Sequence, residues 1–583
     1  MNESENEGAF VHENLGLGVC RIDVKSESGN PKPIFSEDKE LVIVFSSHLH
    51  NSASLRSDLL NRGHAFETLS DEEVVLNAYQ EFGTMCFERL TGAYAFAIGD
   101  LKSRKFVVVR DKAGEKPLYY HKSDRRFLFS SSLKSVIGSG LVQRTINKEA
   151  LNHYFQLTYI PAPLTIYQHV SKLLPGHYIE IPISGSMAVQ KYWDVNYDTD
   201  SLIVDYEDCK KELRQTLFNA VEECMTTQLS IGAFLSGGID SAIITGIAAQ
   251  ISKKPVDAFT IGYRDKRYDE SDRAKLTAQL HNVNHHVVCL DYDEVLPELD
   301  RVLNSMDEPF ADSSLIPTYM VSKFASDYVS SVLTGDSGDE LFGGYSKYLI
   351  GYYAERYNKI PPWIRENVIQ KGADLLPDRG SLMRKVRKVV GNSQKSVFEQ
   401  HKSLMCLGFQ RNEIAMLLQP HWLGLDDLSM ISDCYYSLPD NAEQLARALY
   451  TDFKVVLEGD MLEKVRRAGM LSSLETRIPM LHSDVVTLAA RIPSRYKICR
   501  RNTKVVLKEA FEDLIPKRLL TAGKRGFSVP MGDWFRNELK RDLLEMLSKD
   551  RIVEQGILNY SHIELALNEH FSSTHNRSGE LWA

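Results

Sequence analysis

Short apolar runs alternate with amphipathic stretches along most of the chain. Residues 41–45, 96–98 and 106–109 are brief and rich in branched and aromatic side chains, which predicts strands, whereas Asp71–Phe82 carries a helical pattern. Farther along, residues 205–229 read as a helix, 231–235 as a strand and 256–262 as another. A helix follows over 269–280, a strand over 329–333, and a helical stretch over 346–450. Strands that alternate with helices predict a doubly wound parallel α/β sheet, with ligands at the carboxyl ends of the strands. The first 150 residues lack that alternation and read as α+β. Prolines at 161, 163 and 175 punctuate a crossing segment, so the expected division is 1–150, 151–205 and 206–583.

The strand at 231–235 leads into the stretch with the most chemistry. Between Leu235 and the helical pattern that starts at Ser241 stand only Ser236, Gly237, Gly238, Ile239 and Asp240. Two adjacent glycines allow close backbone approach, and the helix that follows offers unpaired N–H groups and the positive end of its dipole, so the loop is an anion cradle. Ser236 and Ser241 add hydroxyl donors. Asp240 would repel a phosphate unless a divalent cation sat between them, which points to magnesium. No lysine follows the glycines, so this is not the GxxxxGK[ST] type of loop.

A second loop, 334–345, repeats the logic at the end of the strand 329–333. Gly335 opens it and Asp336, Asp339 and Glu340 cluster within it. Carboxylates that face a phosphate cradle suit cation coordination, which makes Asp240 and Asp339 the metal candidates. An acidic helix N-cap explains the same spacing about as well.

Composition narrows the classes. A charge balance of 69 basic against 78 acidic residues, net −9, argues against general nucleic-acid binding. Eight cysteines are scattered without a CxxC pair or metal-ligand spacing, which fits a reducing cytoplasm. The start, MNESENEGAF, lacks a basic segment and an apolar core, and no apolar run nears the roughly 20 residues of a membrane span. His281, His285 and His286 lack a ligand framework and read as surface or partly buried histidines, and the basic run 384–388 as a solvated helix face.

The loop SGGIDS resembles the pyrophosphate loop of the N-type ATP pyrophosphatases, in which ATP is split between its α and β phosphates and a substrate becomes an adenylate. GHAFETLSDEEV, ERLTGAYAFAIGD and RDKAGEKPLYY, within residues 63–120, are similar to the glutaminase domain of glutamine-dependent asparagine synthetases. TGDSGDELFGGY and LEKVRRAGMLSSLETRIP resemble the synthetase domain of that family. The resemblance implies an N-terminal-nucleophile sandwich followed by a doubly wound ATP-pyrophosphatase domain, with ATP and Mg2+ as cofactors. ATP would be held by Leu235, Ser236, Gly237, Gly238, Asp240, Ser241, Ile261, Gly262 and Gly335, and the metal by Asp240 and Asp339. Lys504 matches the family's catalytic lysine, although on its own it reads as an exposed helix lysine. By its place in the second loop, Asp336 is the group that takes the amine's proton.

Several residues depart from the family. Position 2 is Asn2 where a nucleophilic cysteine is expected, and Cys20 shows no activating neighbour. Residues 46–51, SSHLHN, replace the Asn-Gly-Glu-Ile-Tyr-Asn stretch that holds glutamine, although Asp71 keeps the position of the amine-binding acid. The expectation is a degenerate glutaminase domain, as in β-lactam synthetase, since acyl transfer needs a nucleophile and an oxyanion site together. Arg466 stands where many members carry an acid, so specificity for aspartate does not transfer. The expected activity is an ATP-dependent, AMP-forming amide ligase that takes a small-molecule or peptide carboxylate and ammonia or an amine. Ordinary asparagine synthesis and a nucleotide-binding scaffold without turnover are the alternatives. The expected setting is cytoplasmic, without nucleic acid or membrane, with a homodimer and an ammonia-supplying subunit both open.

Overall fold

The structure is a computed structural model and describes residues 7–12, 15–20, 32–182, 186–226, 230–358, 360–364, 396–424, 427–521 and 529–583. The basic run 384–388, Asn2 and residues 522–528 lie outside the described residues.

The amino-terminal half builds a sandwich. Strands β1 (Glu7–His12) and β2 (Leu15–Cys20) form a hairpin. The main sheet has six antiparallel strands. In chain order they are β3 (Ile34–Phe35), β4 (Leu41–Leu49), β5 (Gly92–Asp100), β6 (Lys105–Arg110), β10 (His177–Pro182) and β11 (Ala188–Lys191), and in space the order is β11-β10-β6-β5-β4-β3. A small sheet, β8-β7-β9, is made by β7 (Tyr119–Lys122), β8 (Phe127–Ser130) and β9 (Ser171–Lys172).

The unbroken apolar run of β4 follows from burial on both faces, because successive side chains point opposite ways. Leu41, Ile43 and Phe45 pack with Val74, Val75 and Ala78 of the helix Asp71–Phe82. Val42 and Val44 pack with Leu118 and Leu173 and against Phe127 and Phe129. That helix has the predicted bounds, with Ser70 Oγ accepting from Glu73 N as its cap and three acids in its first turn.

The carboxyl-terminal half is built on five parallel strands in the order β14-β13-β12-β15-β16: β12 (Ile231–Phe234), β13 (Asp257–Tyr263), β14 (Asn284–Leu290), β15 (Ser331–Leu333) and β16 (Glu475–Arg477). The chain runs outward from β12 to β14, then returns to β15 on the other side, so the order reverses at β12, where a doubly wound sheet binds ligands. Helices cover both faces, Tyr206–Met225 and Ile239–Ile251 in one core and Leu315–Ala325 in another. The fold is α+β and α/β, a sandwich of antiparallel strands joined to a doubly wound parallel unit.

Two differences from the expected boundaries bear on the site. The helix after the glycines begins at Ile239 with Gly238 as N-cap, two residues before Ser241, so Ile239 and Asp240 belong to its first turn. β15 starts at Ser331, and Val329 instead continues the turn that follows Leu315–Ala325.

The seam between the halves gathers three histidines. His50 is buried with its ring 5.8 Å from His48 and 6.2 Å from His482, and Cys224 Sγ lies 3.9 Å from its Nε2. Burial, then the neighbouring His48, His482 and Arg477 charges, push its pKa well below the usual value. A base whose folded pKa is depressed is neutral in the fold and takes up a proton more readily when unfolded, so stability is lost as pH falls below about 6.5. His50→Asn is expected to flatten the fall in the urea midpoint between pH 7 and pH 5. An unchanged slope would assign that fall to other groups.

Candidate active site

The chemistry of the site starts with the loop after β12. Leu235 is tied to β13, donating its N–H to Phe259 O at 2.8 Å and accepting from Thr260 Oγ1 at 2.6 Å. Ser236 and Ser241 face each other, Oγ to Oγ 2.9 Å, and Gly238 N donates to Ser236 Oγ at 3.1 Å. A Cβ on Gly237 would stand 2.8 Å from Arg273 Cβ, a closeness only glycine tolerates. Ile261 and Gly262 lie on β13, two and three residues past Phe259, the partner of Phe234, and pair with Val288 and Cys289 of β14.

The second loop sits directly on this helix start. A Cβ on Gly335 would meet Ser241 N at 2.6 Å and Asp240 C at 2.8 Å, and one on Gly338 would meet Asp240 Oδ1 at 2.6 Å. The glycines are therefore what lets the ends of β12 and β15 converge. Ser337 adopts a left-handed φ of 72° to start the short helix Gly338–Phe342, which carries Asp339 and Glu340.

Lys504 closes the arrangement from a distance of 264 residues. It is 4 % exposed, with a left-handed φ of 53°, and forms the N-cap of the helix Val505–Ala510, so the reading of an exposed helix lysine is corrected. Its Nζ bonds the Asp240 carboxylate and lies 2.7 Å from Asp339 Oδ1. Burial opposes its charge, but Asp240 and then Asp339 outweigh burial and hold its pKa above the usual lysine value. Gly344 has no room for a Cβ, which would stand 2.1 Å from Lys504 Cε. Asp240, Asp339 and Lys504, picked separately from the sequence, are thus one cluster. Asp336 is half-buried in the same loop, its N–H 3.5 Å from Thr334 Oγ1.

Beside this cluster lies a polar group that sequence reasoning missed. Lys464 Nζ is 3.4 Å from Asp312 Oδ2, and Asp460, one turn earlier, is buried next to both. Burial and then the charge of Asp312 push the Asp460 carboxyl well above the usual range. Asp336 adds to the field that holds Lys464 charged. Tyr345 OH donates to buried Glu340 Oε1 at 2.7 Å. Asp312 and Lys464 are 152 positions apart, and nothing in local spacing couples them.

The remaining expected residues sit elsewhere. Arg466 bonds Glu463 at 2.6 Å, with Arg467 on the other oxygen of the same carboxylate. Arg477 bonds Glu475 Oε1 at 2.7 Å and Cys224 O at 2.6 Å, facing the seam. His281, His285 and His286 each have a partner of their own, Leu514 O, Thr260 Oγ1 and Asp257 Oδ1, all at 2.8 Å. Among the described residues no three His, Cys, Asp or Glu side chains form a metal-ligand set. No described helix is long and apolar enough to cross a membrane.

A family model described as Asparagine synthase matches residues 212–583, well over half of the chain and all of the cluster just described. The chain belongs to the asparagine synthase family. It is accordingly an enzyme, an ATP-dependent ligase. A second model, Glutamine amidotransferase domain, matches residues 3–193. The chain is 28 % identical to Asparagine synthetase [glutamine-hydrolyzing] 1 of Bacillus subtilis, over 99 % of this chain and 89 % of the relative. It is 31 % identical to Putative asparagine synthetase [glutamine-hydrolyzing] 2 of Methanocaldococcus jannaschii, over 62 % and 73 %. It is 22 % identical to Amidase chyE of Penicillium rubens, over 96 % and 87 %.

The site has the donors that this chemistry asks for. Backbone N–H groups at the start of Ile239–Ile251 and the two serine hydroxyls suit phosphate oxygens. The carboxylates of Asp240 and Asp339 suit a hard divalent cation such as Mg2+, with Lys504 already between them as the balancing charge.

Proposed function

We propose that this enzyme adenylates a carboxylate at the expense of ATP, releases pyrophosphate, and joins the acyl group to ammonia or an amine without hydrolysing glutamine. The observation that carries the reading is Lys504 held by Asp240 and Asp339 where two glycine loops meet. Ser236, Gly237, Gly238 and Ser241 would hold the pyrophosphate end of ATP, and Gly335, Ile261 and Gly262 would border the nucleotide. Mg2+, held by Asp240 and Asp339, would neutralise phosphate charge.

A carboxylate oxygen of the acid attacks the α-phosphorus. The O–P bond forms, the α–β bridge breaks, and pyrophosphate leaves with the bonding pair. Lys504 stabilises the charge that develops on the α-phosphate oxygens. The amine then attacks the acyl carbon, a C–N bond forms, and AMP departs as the C–O bond breaks. Asp336 takes the proton that the nitrogen sheds. Residues 1–150 are read as a glutaminase-like unit, 151–205 as a connection and 206–583 as the synthetase.

Loss of glutamine hydrolysis rests on the stretch 46–51 and on Asp71. Asp71 Oδ2 already accepts from Leu49 N at 2.8 Å and lies 3.6 Å from His48 Nδ1, so the acid that would bind the glutamine amine has partners from this chain. The names of the Bacillus and Methanocaldococcus relatives favour a second reading, glutamine-dependent synthesis of asparagine.

Exchange of labelled pyrophosphate into ATP, scanned over a panel of carboxylic acids that includes aspartate, tests the first half of the reaction. Exchange that depends on one acid supports adenylation, and silence across acids of every class opposes it. In the same mixtures, glutamate released from glutamine at a rate matching AMP would establish the second reading.

A further inference from the structure

The sandwich does more than adjoin the synthetase unit. Arg110, at the end of β6, is 3 % exposed and every arm of its guanidinium is used. Nε donates to Lys116 O at 2.7 Å, Nη1 to Leu173 O at 2.6 Å, and Nη2 to Gly114 O at 3.0 Å and to Glu458 Oε1 at 2.8 Å. The last bond crosses from one half to the other, 348 residues away, and both of its side chains are 4 % exposed. The cavity beside it is about 20 Å³, enough for a single water-sized molecule, so the pair is fixed by packing as well as charge.

Glu458 belongs to an unusual segment. Residues Phe453–Met461 form a π-helix, a wider winding than the α-helix Leu462–Leu471 that continues it. Such windings are stable only where their surroundings impose them, and they recur at functional sites. Here the wide turns set the angular position of Asp460 and, one turn on, Lys464. Gly459 packs against the Tyr159 ring, where a Cβ would stand 2.5 Å away.

The connecting segment holds the facing strip as well. Lys172 Nζ lies 2.5 Å from Glu308 Oε1, Ile166 N donates to Glu308 Oε2 at 3.1 Å, and Ala311 N donates to Thr158 O at 2.8 Å. Asp312 is the next residue. Both strips that meet at the Asp312–Lys464–Asp460 group are therefore gripped from outside by the sandwich and its connection.

We propose that Arg110 is a positioning residue for the acceptor side of the active site, acting through Glu458 to hold the π-helix in the winding that presents Asp460 and Lys464 to Asp312. This rests on the reading of Asp336 and its neighbours as the place where the amine adds. It gives the sandwich a task that needs no glutamine: it is a brace for the second substrate's pocket. ATP is gripped by β12, β15 and Lys504, which Arg110 does not touch, so the two half-reactions separate.

The test uses the full chain as wild type, Arg110→Met, Glu458→Gln and the double variant, read first by hydrogen–deuterium exchange with and without Mg2+ and a non-hydrolysable α,β-methylene ATP analogue. Arg110→Met is expected to raise exchange at least tenfold in 453–466 and 306–312 and to leave the protection of 231–251 by the analogue within twofold. The double variant should recover at least half of the change, because the single one strands a buried carboxylate. Glu458→Gln keeps the shape and one hydrogen bond, so it reports the same two strips even if Arg110→Met does not fold.

The second readout is kinetic, with ammonium chloride as the amine. KM for ammonium should rise about tenfold while ATP–pyrophosphate exchange stays within twofold. Exchange confined to 108–116, or equal losses in both kinetic measures, would overturn the proposal. A wild-type chain silent in pyrophosphate exchange would sink the functional reading, while the deuterium readout would still decide the role of Arg110.

Discussion

Lys504→Met is expected to lower the rate of AMP formation about a thousandfold, close to 4 kcal/mol of transition-state stabilisation, with the affinity for Mg-ATP changed far less. The ammonium is aimed by two carboxylates and buried, so its field is scarcely screened by water, and it needs no reorganisation when charge builds on the α-phosphate. Lys504→Arg should not rescue. The guanidinium is larger, and the Gly344 backbone leaves no room at the Lys504 Cε, where even a Cβ would come within 2.1 Å. Single-turnover formation of AMP, with nucleotide binding measured separately by calorimetry, checks this. A variant that keeps more than a tenth of the rate would remove Lys504 from the mechanism.

Gly335→Ala carries the second large effect. The new methyl would stand 2.6 Å from Ser241 N and 2.8 Å from Asp240 C, and both obstacles are backbone, so no side chain can turn aside. The two loops must part. KM for ATP is expected to rise more than tenfold, and stability to fall by about 1–3 kcal/mol, the usual cost of overpacking. Gly351→Ala, in the helix Ser346–Asn358 with nothing within 4 Å of the new methyl, is the matched control. It should leave KM unchanged and raise stability by about 0.5–1 kcal/mol through helix propensity. Equal effects from the two substitutions would mean that the loops are not in register as described.

The sequence was most informative where local pattern and global fold agree. The helix Asp71–Phe82 has both its cap and its acidic first turn in the sequence, and β12 and the loop after it combine strand pattern, glycine pair and helix start within residues 231–240. The helix there starts two residues early because Gly238 itself serves as the N-cap, which the pattern of apolar positions does not reveal. Lys504 was legible by resemblance alone. Its burial depends on two carboxylates 264 and 165 positions earlier, and no periodicity encodes that.

The Asp312–Lys464–Asp460 group was not legible either, although LEKVRR lies in a stretch that resembles the synthetase domain of the family. Each strip reads as loop or helix by itself, and only the crossing of Leu315–Ala325 with Leu462–Leu471 joins them. The π-helix before Lys464 is not legible in FKVVLEGDM, where Gly459 and the two valines weaken an α-helix without specifying a wider winding. Arg466 shows the opposite case. It pairs with Glu463 three positions earlier, an i,i+3 contact that helical spacing makes legible, and shares that carboxylate with Arg467.

The proposed reaction requires that ATP be cut at its inner bridge, with the outer two phosphates held by the serine–glycine loop. Phosphorus-31 NMR of ATP turnover by the wild-type chain, with Mg2+, ammonium and the acid found by exchange, tests it most directly. AMP and pyrophosphate in equal amounts are expected, and ADP with inorganic phosphate would overturn the proposed reaction.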